Sequence, residues 1–208
     1  MQAIFCIKSI GAILKTLSLL TDLTDLADIQ AGYPFRGSVP VVHGGNARAL
    51  QMRDLTPEGI TDWQAMAQTD IDASRSEQLL RAGDIVFVAR GVRNYAVCVP
   101  EVPLDTVCSQ YFFLIRLRTD RLLPEFLAWQ INRAPAQRYL ASNAEGSDQL
   151  SIRRGVLEAM PIALPPLAQQ RAIIALAGDA IAEKRMLEAL IRNRQQQQDA
   201  IARQLHQP

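Results

Sequence analysis

Histidine occurs only at positions 43 and 206, and the three cysteines, Cys6, Cys98 and Cys108, form an odd set without CxxC spacing. That scarcity argues against a zinc site and against a disulfide framework, and it fits a reducing cytoplasm. Glycine-rich phosphate loops are missing too. The segment "GDIVFVARG" ends in glycine on both sides but has neither GxGxxG nor GxxxxGK[ST] spacing. Net charge is nearly absent, at +1 with a pI near 7.7, so no global field draws the chain to nucleic acid or to a membrane surface, and such partners must be held by local patches. Uninterrupted apolar runs are short. The opening "MQAIFCIKSIGAILKTLSLL" is broken by Lys8 and Lys15 before it reaches the roughly 20 residues of a spanning helix, and no A-x-A cleavage site follows. Residues 1–21 therefore read as an extension of a cytoplasmic protein, with a start codon placed too far upstream as one origin and a membrane anchor as the alternative.

What is present is 49% hydrophobic residues in 208, enough for one domain of ordinary size and an appendage. From Leu23 the chain reads as a mixed α/β domain in short pieces. "LTDLADIQAGYPF" reads as a short helix or turn closing at Gly32, while "PVVHG" and "ALQMRDL" are short strand candidates. "DIVFVARG" and "YAVCVPEV" are strong strands around a turn at Gly91 to Asn94, and "SQYFFLIRLR" is another. "LPEFLAWQINRAPAQRYLAS" has helical spacing, with a break expected at Pro135. "VLEAMPIAL" reads as an apolar strand, Pro165-Pro166 as a rigid corner, and the remainder as one helix. The expected division is 1–21 extension, 22–165 α/β domain and 166–208 helix.

That helix carries a stripe at alternating spacings of four and three: Ile173, Ala177, Ala180, Lys184, Leu187, Ile191, Arg194, Gln198, Ile201 and Leu205. Seven of the ten are apolar, which suits a seam against a partner helix, and the polar members would fix register. Packing back on its own domain is the alternative. At about 40 residues and 1.5 Å per residue the helix would be about 60 Å long, which favours a helical partner.

Enzyme readings find little support. A nucleophilic cysteine needs an activating base, whereas Cys98 and Cys108 sit in apolar strand patterns far in sequence from His43. Asp22, Asp25, Asp28, Asp70 and Asp72 could do acid/base or metal work, but turns and helix caps explain them more simply.

Taken in order, "LADIQAGYPFRG", "LRAGDIVFVARGVRNYAVCVP", "LPEFLAWQINRAPAQRYL" and "GSDQLSIRRGVLEAMPIALPPLAQQRAI" resemble the target recognition domains of type I restriction-modification specificity (S) subunits, from about Leu23 to the end. A full S subunit has two such units in tandem, each followed by a helix, so the chain resembles a half-size form. The resemblance implies an α/β (α+β) recognition domain that enters the major groove and a long C-terminal helix that pairs antiparallel as a spacer. It implies as partners double-stranded DNA, a methyltransferase (M) subunit, an endonuclease (R) subunit in some complexes, and a second copy of the chain as a homodimer. No S-adenosylmethionine-binding or nuclease motif is visible, so the chain reads as non-catalytic, and S-adenosylmethionine is expected in the methyltransferase partner. A truncated regulator that pairs with another S subunit and a coiled-coil protein-binding adaptor remain the alternatives.

Polar residues at the expected loops are the DNA-contact candidates: Arg36 after "GYPF"; Arg90, Arg93, Asn94 and Tyr95 around the turn; Ser109, Gln110 and Tyr111 before a strand; and Ser147, Gln149, Arg153 and Arg154 before the corner. Arginine can read guanine or hold phosphate, and Asn and Gln can read adenine. The 19 Arg against 3 Lys suit bidentate contacts, although genomic base composition would give the same bias. Residues 1–165 hold 16 Lys/Arg against 17 Asp/Glu, net −1.

Overall fold

The computed structural model describes residues 20–146 and 150–205. The expected extension therefore lies outside the described residues except for Leu20 and Thr21. These two belong to the fold: β1 (Leu20–Asp22) pairs antiparallel with the strand Pro161–Ala163, so the boundary at residue 21 falls inside a strand. Two compact units emerge, Met1–Leu167 and Ala168–Pro208.

After β1 come α1 (Leu23–Leu26) and β2 (Ala27–Ala31). The stretch expected to be helix or turn up to Gly32 is thus a short helix over Leu23–Leu26 followed by a strand, because β2 pairs along its length with β11 (Phe112–Leu117). Between them lie β3 (Ala47–Leu50), β4 (Leu55–Thr56), β5 (Gly59–Ile60), β6 (Ala67–Thr69), β7 (Ile85–Val88), β8 (Arg90–Gly91), β9 (Ala96–Cys98) and β10 (Thr106–Cys108). "PVVHG" forms no strand. Val41 is exposed there, and the segment is held to β6 through Gln68, whose carbonyl accepts from the Val42 amide at 2.9 Å and whose side-chain oxygen accepts from the Gly44 amide at 3.0 Å.

The main sheet has the order β2-β11-β7-β9, antiparallel throughout. Its interior strand β7 is buried at every residue, which is why "IVFV" is a continuous apolar run and not an alternating one. A second sheet, β10-β3-β6, joins a parallel and an antiparallel pair. The core runs between them: Leu50, Leu55, Met66, Val86, Val88 and Phe112 belong to one buried cluster. One ion pair sits at its edge. Asp84, almost fully buried, accepts from Arg116 Nε at 2.8 Å and Nη2 at 2.7 Å and from the Arg81 amide at 2.7 Å.

Two helices follow, α2 (Pro124–Ile131) and α3 (Ala134–Asn143). The break falls at Asn132 and Arg133, with Arg133 extended at the N-cap, and Pro135 lies in the first turn of α3, where its missing N–H costs nothing. Asn132 is put to use at that break. Its side-chain amide exchanges two hydrogen bonds with the Ala96 backbone, at 2.7 and 2.9 Å, and so ties α2 to β9. Gln130 does the same with Ala163. "VLEAMPIAL" divides between α4 (Arg154–Glu158) and β13 (Pro161–Ala163), with β12 (Leu150–Ser151) before them.

The second unit is the bulk of α5 (Leu167–Leu205), 39 residues beginning directly after Pro165-Pro166. Every residue from Gly178 to Leu205 is exposed. At 100° per residue, Leu176, Leu187, Leu190, Ile191, Ile201 and Leu205 fall within an arc of about 100°. Leu176 and Leu190 widen the stripe seen in the sequence. Among the described residues no helix is long and apolar enough to cross a membrane.

Candidate nucleic-acid interface

Five segments remote in sequence meet at one rim of the α/β unit. The first is the hairpin between β7 and β9, closed by the Val88 amide donating to the Tyr95 carbonyl at 2.8 Å. Inside it, β8 pairs with β12, Arg90 opposite Ser151 and Gly91 opposite Leu150. The Ala89 and Arg90 amides donate to the Tyr111 carbonyl at 2.9 and 3.2 Å, which brings in the turn before β11. Gly91 lies close to Met52 on the 3-10 turn Met52–Asp54, where an added Cβ would come within 3.2 Å of the methionine methyl.

The last segment is the loop after β2. Gly32 packs so tightly that a Cβ there would stand 2.1 Å from the Ser109 carbonyl, and the Tyr33 amide donates to the Cys108 carbonyl at 2.7 Å. Only glycine allows this approach, and it sets Phe35 to Val39 beside Ser109 to Tyr111. An open cleft of about 430 Å³ lies between them, lined among others by Phe35, Val39, Met52, Ser109, Gln110 and Tyr111.

The candidate residues separate by exposure. Arg36, Arg90 and Arg93 are exposed and form no ion pair among the described residues. Tyr111 is exposed and Gln110 half-buried. Arg153 and Arg154 are exposed but paired, with Glu145 at 2.9 Å and with Glu158 at 2.7 Å. Ser147 and Gln149 lie outside the described residues.

Three of the candidates face inward. Asn94 is only 7% exposed and turns inward, its amide donating to the carbonyls of Val88 at 2.9 Å and Ala89 at 3.3 Å, so its hydrogen-bonding capacity braces the hairpin and is not offered to a base. Ser109 is buried, with its hydroxyl unpartnered among the described residues. Tyr95 is half-buried and its hydroxyl donates to the Leu55 carbonyl at 3.0 Å. Burial, with Glu58 nearby, raises that phenol above its ordinary range against a smaller opposing effect of Arg93, which keeps it neutral and donating. Loop position suggested exposure for all three. The tertiary contacts point them inward.

Met52, Gln51 and Val92 share the rim without having been singled out in the sequence. Met52 and Gln51 sit in a strand-like run, and no local signal marks them. Val92 lies between two candidate arginines and is 84% exposed. Among the described residues no group of three or more His, Cys, Asp or Glu is placed to hold a metal ion.

No protein-family model and no curated protein matches the sequence. Solved structures do match. The S subunit of a type I restriction-modification system from M. genitalium aligns over 92% of this chain and 47% of its own, at 16% identity and a TM-score of 0.56. The HsdS subunit from Thermoanaerobacter tengcongensis aligns over 82% and 39%, at 20% identity and 0.61. A chain from a structure of type I R-M complex assembly and conformational transition aligns over 92% and 44%, at 20% identity and 0.59. The chain spans less than half the length of each. The unmatched 8% of this chain is shorter than α5, so the likeness reaches into the helix as well as the α/β unit, and the chain shares the fold of type I restriction-modification S subunits.

Proposed function

We propose that the chain is a DNA sequence-specificity subunit of a type I restriction-modification complex, with the rim of the α/β unit as its DNA-reading face. The observation that supports this most is the convergence of Arg36, Arg90, Arg93, Gln110 and Tyr111, from three separate loops, on one edge of a fold shared with S subunits. Arginine and glutamine at an edge braced from beneath suit base-edge contacts. The chain itself does no chemistry in this reading. Methyl transfer falls to a methyltransferase subunit that carries S-adenosylmethionine, and an endonuclease subunit joins where cleavage occurs.

The stripe on α5 pairs antiparallel with a second copy, around Ile173, Ala177, Ala180, Leu187, Ile191, Ile201 and Leu205, and the paired helices dock the methyltransferase. A two-fold axis through that pair makes the two recognition surfaces equivalent, so the target is an interrupted palindrome. The 39 residues of the helix span about 58 Å, which limits the half-site separation to about 17 base pairs. Affinity purification from the native host, followed by methylome sequencing with and without the gene, tests the proposal. A co-purifying methyltransferase and loss of one palindromic bipartite motif are expected. Retention of every methylated motif after deletion would refute it, and an asymmetric motif that depends on this chain alone would refute the homodimer.

A further inference from the structure

Val92 is the most exposed large apolar residue among those described, at 84%, and it stands at the tip of the most heavily braced loop on the rim. Below it, the loop is held from three sides. Arg90 and Gly91 are paired with β12, the Tyr111 carbonyl accepts from the amides of Ala89 and Arg90, and the buried Asn94 amide holds the Val88 and Ala89 carbonyls. A loose loop would fold such a side chain onto the surface, since burying apolar area is favourable. The bracing keeps it out. On either side are Arg90 and Arg93, neither in an ion pair among the described residues, so the apolar tip lies within a local positive field, while Glu145 across the rim is neutralised by Arg153. Glu58 is the acid that reaches this neighbourhood, through Tyr95.

Resting on the DNA-reading assignment above, we propose that Val92 is a specificity-determining residue that packs against the C5-methyl group of a pyrimidine in the major groove, with Arg90 and Arg93 holding the flanking phosphates or guanine. The polyanion supplies the complement to the two guanidiniums, and the C5-methyl is the apolar group that the major groove exposes. Reading it requires an apolar side chain presented without a competing partner, which is how Val92 is held.

The test uses a duplex enriched from a randomised pool by the full chain with its co-purified methyltransferase, and fluorescence anisotropy with each thymine replaced in turn by deoxyuridine. One position is expected to lose affinity about fourfold, as for one methyl group leaving an apolar contact. Val92→Ala should bind the parent duplex correspondingly more weakly and be indifferent to deoxyuridine at that position, while Val92→Ile should remain sensitive. Failure to enrich any sequence would overturn the DNA-reading assignment itself. An enriched sequence with no methyl-sensitive position, or with a sensitivity that Val92→Ala retains in full, would overturn the role of Val92 alone.

Discussion

Replacing Asn94 with alanine separates a reader of bases from a brace for the loop that reads them. The side chain is 7% exposed and donates at 2.9 and 3.3 Å to two backbone carbonyls of its own hairpin. A net intramolecular hydrogen bond is worth about 1 kcal/mol. The second bond is long, so the pair contributes about 1 to 2 kcal/mol, and the vacated volume adds somewhat less than another 1 kcal/mol. For a chain of this length, each kcal/mol moves Tm by about 2 to 4 °C, which places the expected fall between about 2 and 12 °C. Asn94→Asp should cost more than Asn94→Ala, because it sets a carboxylate against two carbonyl oxygens where an N–H donor had been. Thermal unfolding followed by circular dichroism reads the stability, and DNA affinity is measured at a temperature where both proteins are folded. An unchanged Tm combined with lost specific binding would refute the brace and restore Asn94 as a contact residue.

Asp84→Ala removes the acceptor of a bidentate, largely buried guanidinium contact and leaves Arg116 unpaired; urea unfolding should show a loss of about 3 to 5 kcal/mol. Arg90→Ala and Arg93→Ala should each weaken specific DNA binding by about 1 to 3 kcal/mol while leaving Tm unchanged, since neither side chain has an ion pair to lose among the described residues. Burial pushes the Cys98 thiol up to about 12 and raises Cys108 further, so in a Cys6→Ser background both should react slowly with a thiol reagent at pH 8 and quickly once unfolded. The same shift makes stability fall as pH rises from the ordinary thiol range towards 12, because the thiolate is then favoured only in the unfolded chain. Leu187→Glu with Ile191→Glu should abolish self-association in analytical ultracentrifugation and leave the unfolding of the α/β unit unaltered.

Elements whose pattern is local were readable from the sequence. "IVFV" could hardly be anything but a buried strand, and the helical spacing of Phe126, Leu127 and Ile131 survives without tertiary information. "LADIQA" could not be assigned that way. Leu26, Ala27 and Ile29 fit a helical and an extended period equally, and the choice is made by β11, more than eighty residues away. "VLEAMPIAL" was read as one piece because hydrophobicity does not distinguish a short buried helix from a strand, whereas Met160 and Pro161 divide it. The candidate residues were chosen as members of loops, and the described loops lie together at one rim. Direction was not legible. Asn94 and Arg93 are neighbours with opposite orientations, and only the carbonyls of Val88 and Ala89 explain why one turns in and the other out.

The near-zero charge of the α/β unit acquires a physical meaning once its arginines are located. Arg116 serves Asp84, Arg118 pairs with Asp28 and donates to the Thr24 carbonyl, and Arg48 donates to the carbonyls of Gln64 and Met66. Arg153 and Arg154 hold Glu145 and Glu158. These guanidiniums are engaged within the fold and contribute little to an external field. Arg36, Arg90 and Arg93 on the rim have no ion pair among the described residues, as is also true of the exposed Arg81 and Arg138. A surface of this kind neutralises few phosphates, so counterion release gives it weak nonspecific affinity and a shallow salt dependence. Under the proposed DNA-reading role, discrimination would then rest on a small number of base-edge contacts, each made by a side chain whose backbone is already fixed. The bracing of the 89–94 loop by Asn94, Tyr111 and β12 supplies that fixity, because a contact made by a preorganised loop does not spend its free energy on ordering the chain.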